Sequence, residues 1–237
     1  MEDVEKLVVV LILTAICGCS WRSAKTEAPR NKVIYTDAVN TATTVESSAP
    51  SAGDARPVIV CFGDSLTAGY GVEHDLSYPA NLQRDLDKNG YSYRVLNMGV
   101  SGETTKDGLA RVQRVLALKP ELVVVEFGGN DGLRGLPLSE TERNLDEIVG
   151  RLKKSGTRVA MAGIMLPPNY GADYGKRFNQ MFPHIAKKNG VALLPFLYKD
   201  VYGLAGYIQD DGVHATAKGN VQVAKNIEGL ITPLLKK

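Results

Sequence analysis

Several things are scarce in this sequence of 237 residues, and each shortage excludes a class of function. Cysteine occurs three times, and two of the three (Cys17 and Cys19) lie close to the N-terminus, so no disulfide framework is expected. Charge of one sign is lacking too. With 28 Lys and Arg against 26 Asp and Glu, the formal net charge of +2 is too near neutral for a nucleic-acid binder. The apolar run Leu7–Cys17 has eleven residues, well short of the roughly 20 that cross a bilayer. The dinucleotide and phosphate patterns Gly-x-Gly-x-x-Gly and Gly-x-x-x-x-Gly-Lys-Ser/Thr are missing, as is the zinc-protease pattern His-Glu-x-x-His. Gly-x-Ser-x-Gly is also missing, which argues against an α/β-hydrolase. What remains is an ordinary globular mixture, 44% hydrophobic and 23% charged, long enough for one or two domains with a sizeable core.

The N-terminal part reads as an address and a tether. The run Leu7–Cys17 has the length of the apolar core of an export signal, although the leader before it carries three acids and one lysine. It ends in Ile16-Cys17-Gly18-Cys19, which resembles a bacterial lipobox: an aliphatic residue, then a small residue immediately before the cysteine that is lipidated. Residues 1–19 are therefore expected to be a signal peptide with Cys19 as the lipidation site. Residues 20–57 are rich in Ser, Thr, Ala and Pro, with few large apolar side chains. Such a segment cannot bury enough surface to offset the entropy of ordering, so it is expected to be a flexible linker. As a random coil its ends would lie on the order of 35 Å apart, a reach that suits a head held near a membrane on the periplasmic side.

From residue 58 to 237 the pattern alternates between strand and helix. Val58–Phe62 is followed by Leu82 and Leu86 at helical spacing, and Arg94–Leu96 by Leu109, Val112 and Leu116. Leu122–Phe127 precedes Leu145, Ile148, Val149 and Leu152, with Ser139-x-x-Glu142 as a capping box. Val159–Ile164 precedes Phe178, Met181, Phe182 and Ile185, and Val191–Leu194 precedes a closing helix over about Thr216–Leu235. Strand segments this continuously apolar belong to a sheet covered on both faces. Five such units predict an α/β fold built on one doubly wound parallel sheet.

Open parallel sheets bind ligands beyond the carboxyl ends of their strands. The segments there are Gly63-Asp64-Ser65-Leu66, Asn97 to Gly102, Gly128-Gly129-Asn130-Asp131 and, in the last loop, Asp211-Gly212-Val213-His214. A serine nucleophile needs a base, and the base needs an orienting partner. Only three histidines are available. His184 falls opposite the apolar face of its helix, and His74 sits in a polar loop. His214 stands three residues after Asp211, a spacing at which one turn presents both side chains, with Asp210 a solvated neighbour. The Asn130 amide, the Gly102 N–H and the Ser65 N–H are candidate donors to a developing oxyanion. Each residue also has an ordinary explanation: glycines make turns, asparagines cap loops, and D-x-x-H is common by chance. Cys61, within the first strand, reads as core. For an apolar slot the candidates are Leu133, Leu136, Pro167, Pro168, Tyr207 and Ile208, any of which can instead pin its loop to the sheet.

Taken together, Gly63-Asp64-Ser65-Leu66, Gly102, Gly128-x-Asn130-Asp131 and Asp211-x-x-His214 resemble, in order, the four blocks of the SGNH (GDSL) hydrolases. The stretches GDSLTAGYG, GGNDGLRG, Pro168-Asn169-Tyr170-Gly171 and QDDGVH are similar to the arylesterase, thioesterase I and lysophospholipase branch. The resemblance implies a flavodoxin-like three-layer α/β/α sandwich with a five-stranded parallel sheet and no metal or organic cofactor. It implies Ser65 as nucleophile, His214 as base and Asp211 as its orienter, with Ser65, Gly102 and Asn130 forming the oxyanion hole. The expected substrate is a small acyl ester, thioester or lysophospholipid. A carbohydrate O-acetyl esterase of the same superfamily, or a catalytically dead lipid-anchored binding module, are the alternatives.

Overall fold

The computed structural model describes residues 54–166 and 170–237. The expected signal peptide, the lipidation at Cys19 and all but the last four residues of the expected linker lie outside the described residues. Those last four lie against the edge of the sheet, where Arg56 donates to the Tyr93 carbonyl and Pro57 accepts from the Arg94 N–H.

Five parallel strands form the sheet: β1 (Val58–Gly63), β2 (Arg94–Gly99), β3 (Leu122–Glu126), β4 (Arg158–Ala162) and β5 (Ala192–Leu194). Their order is β2-β1-β3-β4-β5, so the chain reverses its direction of travel across the sheet between β1 and β3. The helices are α1 (Ser65–Ala68), α2 (Tyr78–Lys88), α3 (Thr105–Ala117), α4 (Gly129–Leu133), α5 (Leu138–Lys154), α6 (Ala172–Asn189) and α7 (Ala217–Ile231).

The two-residue side-chain period of a strand divides the core into two layers. Val58, Val60 and Phe62 of β1, with Val123 and Val125 of β3, pack beneath α3, α5 and α6. Ile59, Cys61, Leu122 and Val124 point the other way, beneath α2 and α7. The expected three-layer α/β/α sandwich with five parallel strands is therefore the fold observed. Pro183 lies inside α6, where a proline costs about 3 kcal/mol. The fully buried Phe178, Phe182 and Ile185 of the same helix each contribute roughly 1.5–3 kcal/mol by leaving water, which together outweigh it.

Several expected element bounds shift by one to four residues, β2 for instance running on from Leu96 to Gly99, and two of the shifts have a visible cause. The capping box at Ser139 does not form: the N-cap lies two residues earlier, at Pro137, with no side-chain cap, and α5 begins at Leu138. The Pro137 carbonyl already accepts the N–H groups of Glu140 and Thr141, and Glu142 instead meets the exposed His184, whose Nδ1 lies 2.5 Å from its Oε1. The fourth strand stops at Ala162 rather than Ile164. Its neighbour β5 ends at Leu194, the partner of Ala162, so the pairing closes there, with Gly163 N–H donating to the Leu194 carbonyl at 2.8 Å.

Candidate active site

The turn after β1 is shaped by close packing and by a cap. A Cβ on Gly63 would stand 2.1 Å from Thr67 Oγ1 and 2.5 Å from Glu126 Oε2, so only glycine lets β1 pass this close to its neighbours. Asp64 Oδ1 accepts the Leu66 N–H at 3.0 Å and so caps α1. Ser65 is thereby held at the first position of the helix, at the carboxyl edge of the sheet beside the point where the topology reverses.

His214 reaches this serine from the loop between β5 and α7. Its Nε2 lies 2.9 Å from Ser65 Oγ, and its Nδ1 lies 2.6 Å from Asp211 Oδ2. The other Asp211 oxygen accepts the backbone N–H groups of Val213 (2.9 Å) and His214 (3.0 Å). Burial alone would raise this carboxyl, but those N–H groups and the His214 ring outweigh it and lower the Asp211 pKa to about 2. An ionised carboxylate only accepts, so the Asp211 contact requires the hydrogen on Nδ1. Nε2 is then the acceptor, and Ser65 donates to it. The Tyr70 ring lies against the imidazole, with centroids 4.6 Å apart.

The other groups expected to face an oxyanion lie in the segments after β2 and β3. Gly102 is exposed, and no acceptor among the described residues takes its N–H or that of Ser65. Asn130, on α4, uses its amide protons on Asp64 Oδ2 (3.1 Å) and the Glu103 carbonyl (2.9 Å). Its neighbour Asp131 is buried and accepts from the N–H and Oγ1 of Thr105 at 2.9 and 2.6 Å, which ties the start of α3 to α4.

Beneath these loops lie ionisable groups that sequence reading did not single out. Burial pushes the Asp64 carboxyl up to about 7, and Asp131 and Glu103 nearby act in the same direction. Glu126 is fully buried, with Oε2 accepting from Thr67 Oγ1 at 2.7 Å and Oε1 without a partner among the described residues. Burial and the neighbouring Asp64 raise its pKa well above the usual carboxylate range. Arg111 is buried as well: it donates to Glu103 at 2.6 Å and to the Gly63 carbonyl at 3.0 Å, with its guanidinium over the Phe62 ring. Cys61 is core, and burial raises its thiol to about 12, which leaves it inert as a nucleophile.

An apolar cavity of about 380 Å³ opens beside Ser65 and His214. Leu133 lines it as expected, but Leu136, Tyr207 and Ile208 do not. Leu136 turns away, its carbonyl accepting from Tyr174 Oη at 2.9 Å. Tyr207 and Ile208 close a hairpin instead: Tyr207 accepts the Thr216 N–H and Ile208 bridges to Ala215, so these two residues shape the loop that carries Asp211 and His214. Pro167 and Pro168 lie outside the described residues. The wall that sequence reading missed is Ile164–Leu166 after β4 and Phe196–Tyr198 with Tyr202 after β5. A signal was present, since both stretches are apolar and immediately follow strands. Among the described residues no cluster of three or more His, Cys, Asp or Glu is arranged to hold a metal ion.

Comparison with known proteins places this arrangement. Residues 61–221 match the model of the GDSL-like lipase/acylhydrolase family. The chain is 38% identical over 182 residues to the esterase TesA of Pseudomonas aeruginosa, covering 76% of this chain and 90% of that protein. It is 36% identical to the thioesterase 1/protease 1/lysophospholipase L1 of Escherichia coli, covering 76% of this chain and 86% of that protein. A crystal structure of TesA superposes with a TM-score of 0.73 at 38% identity, over 75% of this chain and 99% of the solved one.

Proposed function

The chain belongs to the GDSL-like lipase/acylhydrolase family, hydrolases acting on ester bonds, and on that premise we propose that it transfers acyl groups to water through Ser65, His214 and Asp211. The observation that carries this reading is the hydrogen-bonded series Asp211–His214–Ser65 opening onto an apolar cavity. Ser65 Oγ attacks the acyl carbonyl while its proton passes to His214 Nε2, and the Asp211 carboxylate stabilises the imidazolium. The negative charge on the carbonyl oxygen settles on the N–H groups of Ser65 and Gly102 and on the Asn130 amide. For this, Asn130 redirects the proton it shares with Asp64, the longer of its two bonds at 3.1 Å. Collapse breaks the bond to the alcohol or thiol, which leaves with the proton from His214. A water molecule then repeats the sequence on the acyl-serine: His214 takes its proton, the carboxylic acid departs, and Ser65 is regenerated.

The cavity favours an acyl chain over an acetyl group. An apolar cavity of about 380 Å³ beside Ser65 and His214 offers far more room than an acetyl group needs. A panel of nitrophenyl esters, acyl-CoAs and lysophospholipids should show turnover rising from acetyl to medium-length chains. Cleavage of acetylated sugars with no medium-chain activity would replace this reading with that of a carbohydrate deacetylase. On the same panel Leu133→Ala should change the chain-length profile and Leu136→Ala should not, because Leu133 lines the cavity and Leu136 does not. Equal profiles for both variants and the wild type would place the acyl chain elsewhere.

For location, the Leu7–Cys17 run and the cysteine at position 19 support a lipid-tethered enzyme on the periplasmic face of a bacterial membrane. In cells given radiolabelled palmitate, the wild-type chain should take up label and Cys19→Ser should not. Equal labelling of the two would exclude Cys19 as the attachment point.

A further inference from the structure

His214 and Ser65 are brought together from distant parts of the sheet. β5 lies at the edge, three strands from β1, yet the loop after β5 must place His214 Nε2 within 2.9 Å of Ser65 Oγ. Residues 195–216 therefore run back across the strand ends. The hairpin at the end of this loop is closed from within. Ile208 bridges to Ala215, Gln209 N–H donates to the His214 carbonyl at 2.8 Å, and Thr216 N–H donates to the Tyr207 carbonyl at 2.9 Å. These bonds give the loop its shape, but they do not fix it to the turn that holds the serine.

One side chain does. Gln209 Nε2 donates to the Tyr70 carbonyl at 2.8 Å and to the Ala215 carbonyl at 2.9 Å, which occupies both amide protons. Tyr70 belongs to the serine turn, since its N–H donates to the Ser65 carbonyl at 3.1 Å. Ala215 directly follows His214. Apart from the bond between Ser65 and His214, this is the one hydrogen bond among the described residues that joins segment 64–72 to segment 207–216. The turn is also built to receive it. Gly71 has φ +79°, and a Cβ there would stand 2.2 Å from Gln209 Oε1.

We propose that Gln209 is a positioning residue, whose side-chain amide clamps the serine turn to the histidine hairpin and so sets the distance between Ser65 and His214. The proposal rests on the reading of those two residues as the reacting pair. A clamp of this kind matters because a misplacement of about 1 Å in a reacting group can cost 10²-fold in rate.

The test is the rate at which a small alkyl fluorophosphonate labels Ser65, measured beside kcat and KM for a short nitrophenyl ester. Gln209→Ala removes the amide. Gln209→Glu keeps its shape but removes both donors, so it separates donation from packing. Both variants should label Ser65 and turn over about 10- to 100-fold more slowly, with KM within about twofold of wild type. Gly71→Ala, which pushes the amide aside from the other partner, should show the same split. Wild-type labelling rates in either Gln209 variant would overturn the proposal. So would a loss that only follows the folded fraction measured by circular dichroism, or failure of both Gln209 variants to fold. Failure of the underlying reading looks different: the wild-type chain itself would not be labelled at Ser65.

Discussion

Replacing Ser65 or His214 with alanine should lower turnover by about 10⁴- to 10⁶-fold, and the double replacement should cost little more than either alone. In the proposed mechanism the two side chains act as one unit: Ser65 attacks only as its proton leaves, and the acceptor hydrogen-bonded to it among the described residues is His214 Nε2 at 2.9 Å. Asp211→Asn should cost about 10⁴-fold by another route. An asparagine amide facing Nδ1 donates, which drives the ring hydrogen to Nε2 and removes the acceptor that Ser65 needs. Steady-state hydrolysis of a nitrophenyl ester checks all three, with circular dichroism to show that the variants fold. Near wild-type turnover in folded Ser65→Ala would remove the serine from the mechanism.

Asn130→Ala should lower kcat by about 10²- to 10³-fold with little change in KM. In the proposed mechanism its amide donates to the acyl oxygen only once that oxygen carries charge, so the loss should fall on the transition state rather than on substrate binding. The resting structure adds a qualification. Both amide protons are already engaged, by Asp64 Oδ2 and by the Glu103 carbonyl, so part of the donor's strength is spent in leaving Asp64. The effect should therefore lie toward the lower end of the range. A KM increase at unchanged kcat would instead make Asn130 a ground-state binding residue.

Much of this site was legible in the sequence because it is local. Ser65, Gly102 and Asn130 lie within four residues of the ends of β1, β2 and β3, and Asp211 and His214 share one turn. Where strand-end loops form a site, those positions can be read without knowing the path of the chain. The cavity wall was harder. Phe196–Tyr198 and Tyr202 reach Ser65 only because the loop after β5 runs back across the sheet, a route set by tertiary packing. For the same reason Tyr207 and Ile208, apolar and close to Asp211, looked like pocket residues and turned out to close the hairpin. Glu126 and Arg111 were missed because charged residues are rarely buried. Only the assembled fold shows that Thr67 covers one and Glu103 pairs with the other. Gln209 stands in the sequence only as the first residue of the QDDGVH stretch, and its two carbonyl partners come together only in the fold.

The most direct test of the central claim, that Ser65 forms a covalent acyl-type intermediate, is active-site labelling followed by peptide mass mapping. With a fluorophosphonate the Ser65 Oγ–P bond forms as the P–F bond breaks, fluoride leaves, and the serine proton passes to His214. The account predicts one adduct per chain, on the peptide containing Ser65, and none in Ser65→Ala or in protein first inactivated at that serine. An active wild-type enzyme that remains unlabelled, or an adduct on any other residue, would contradict it.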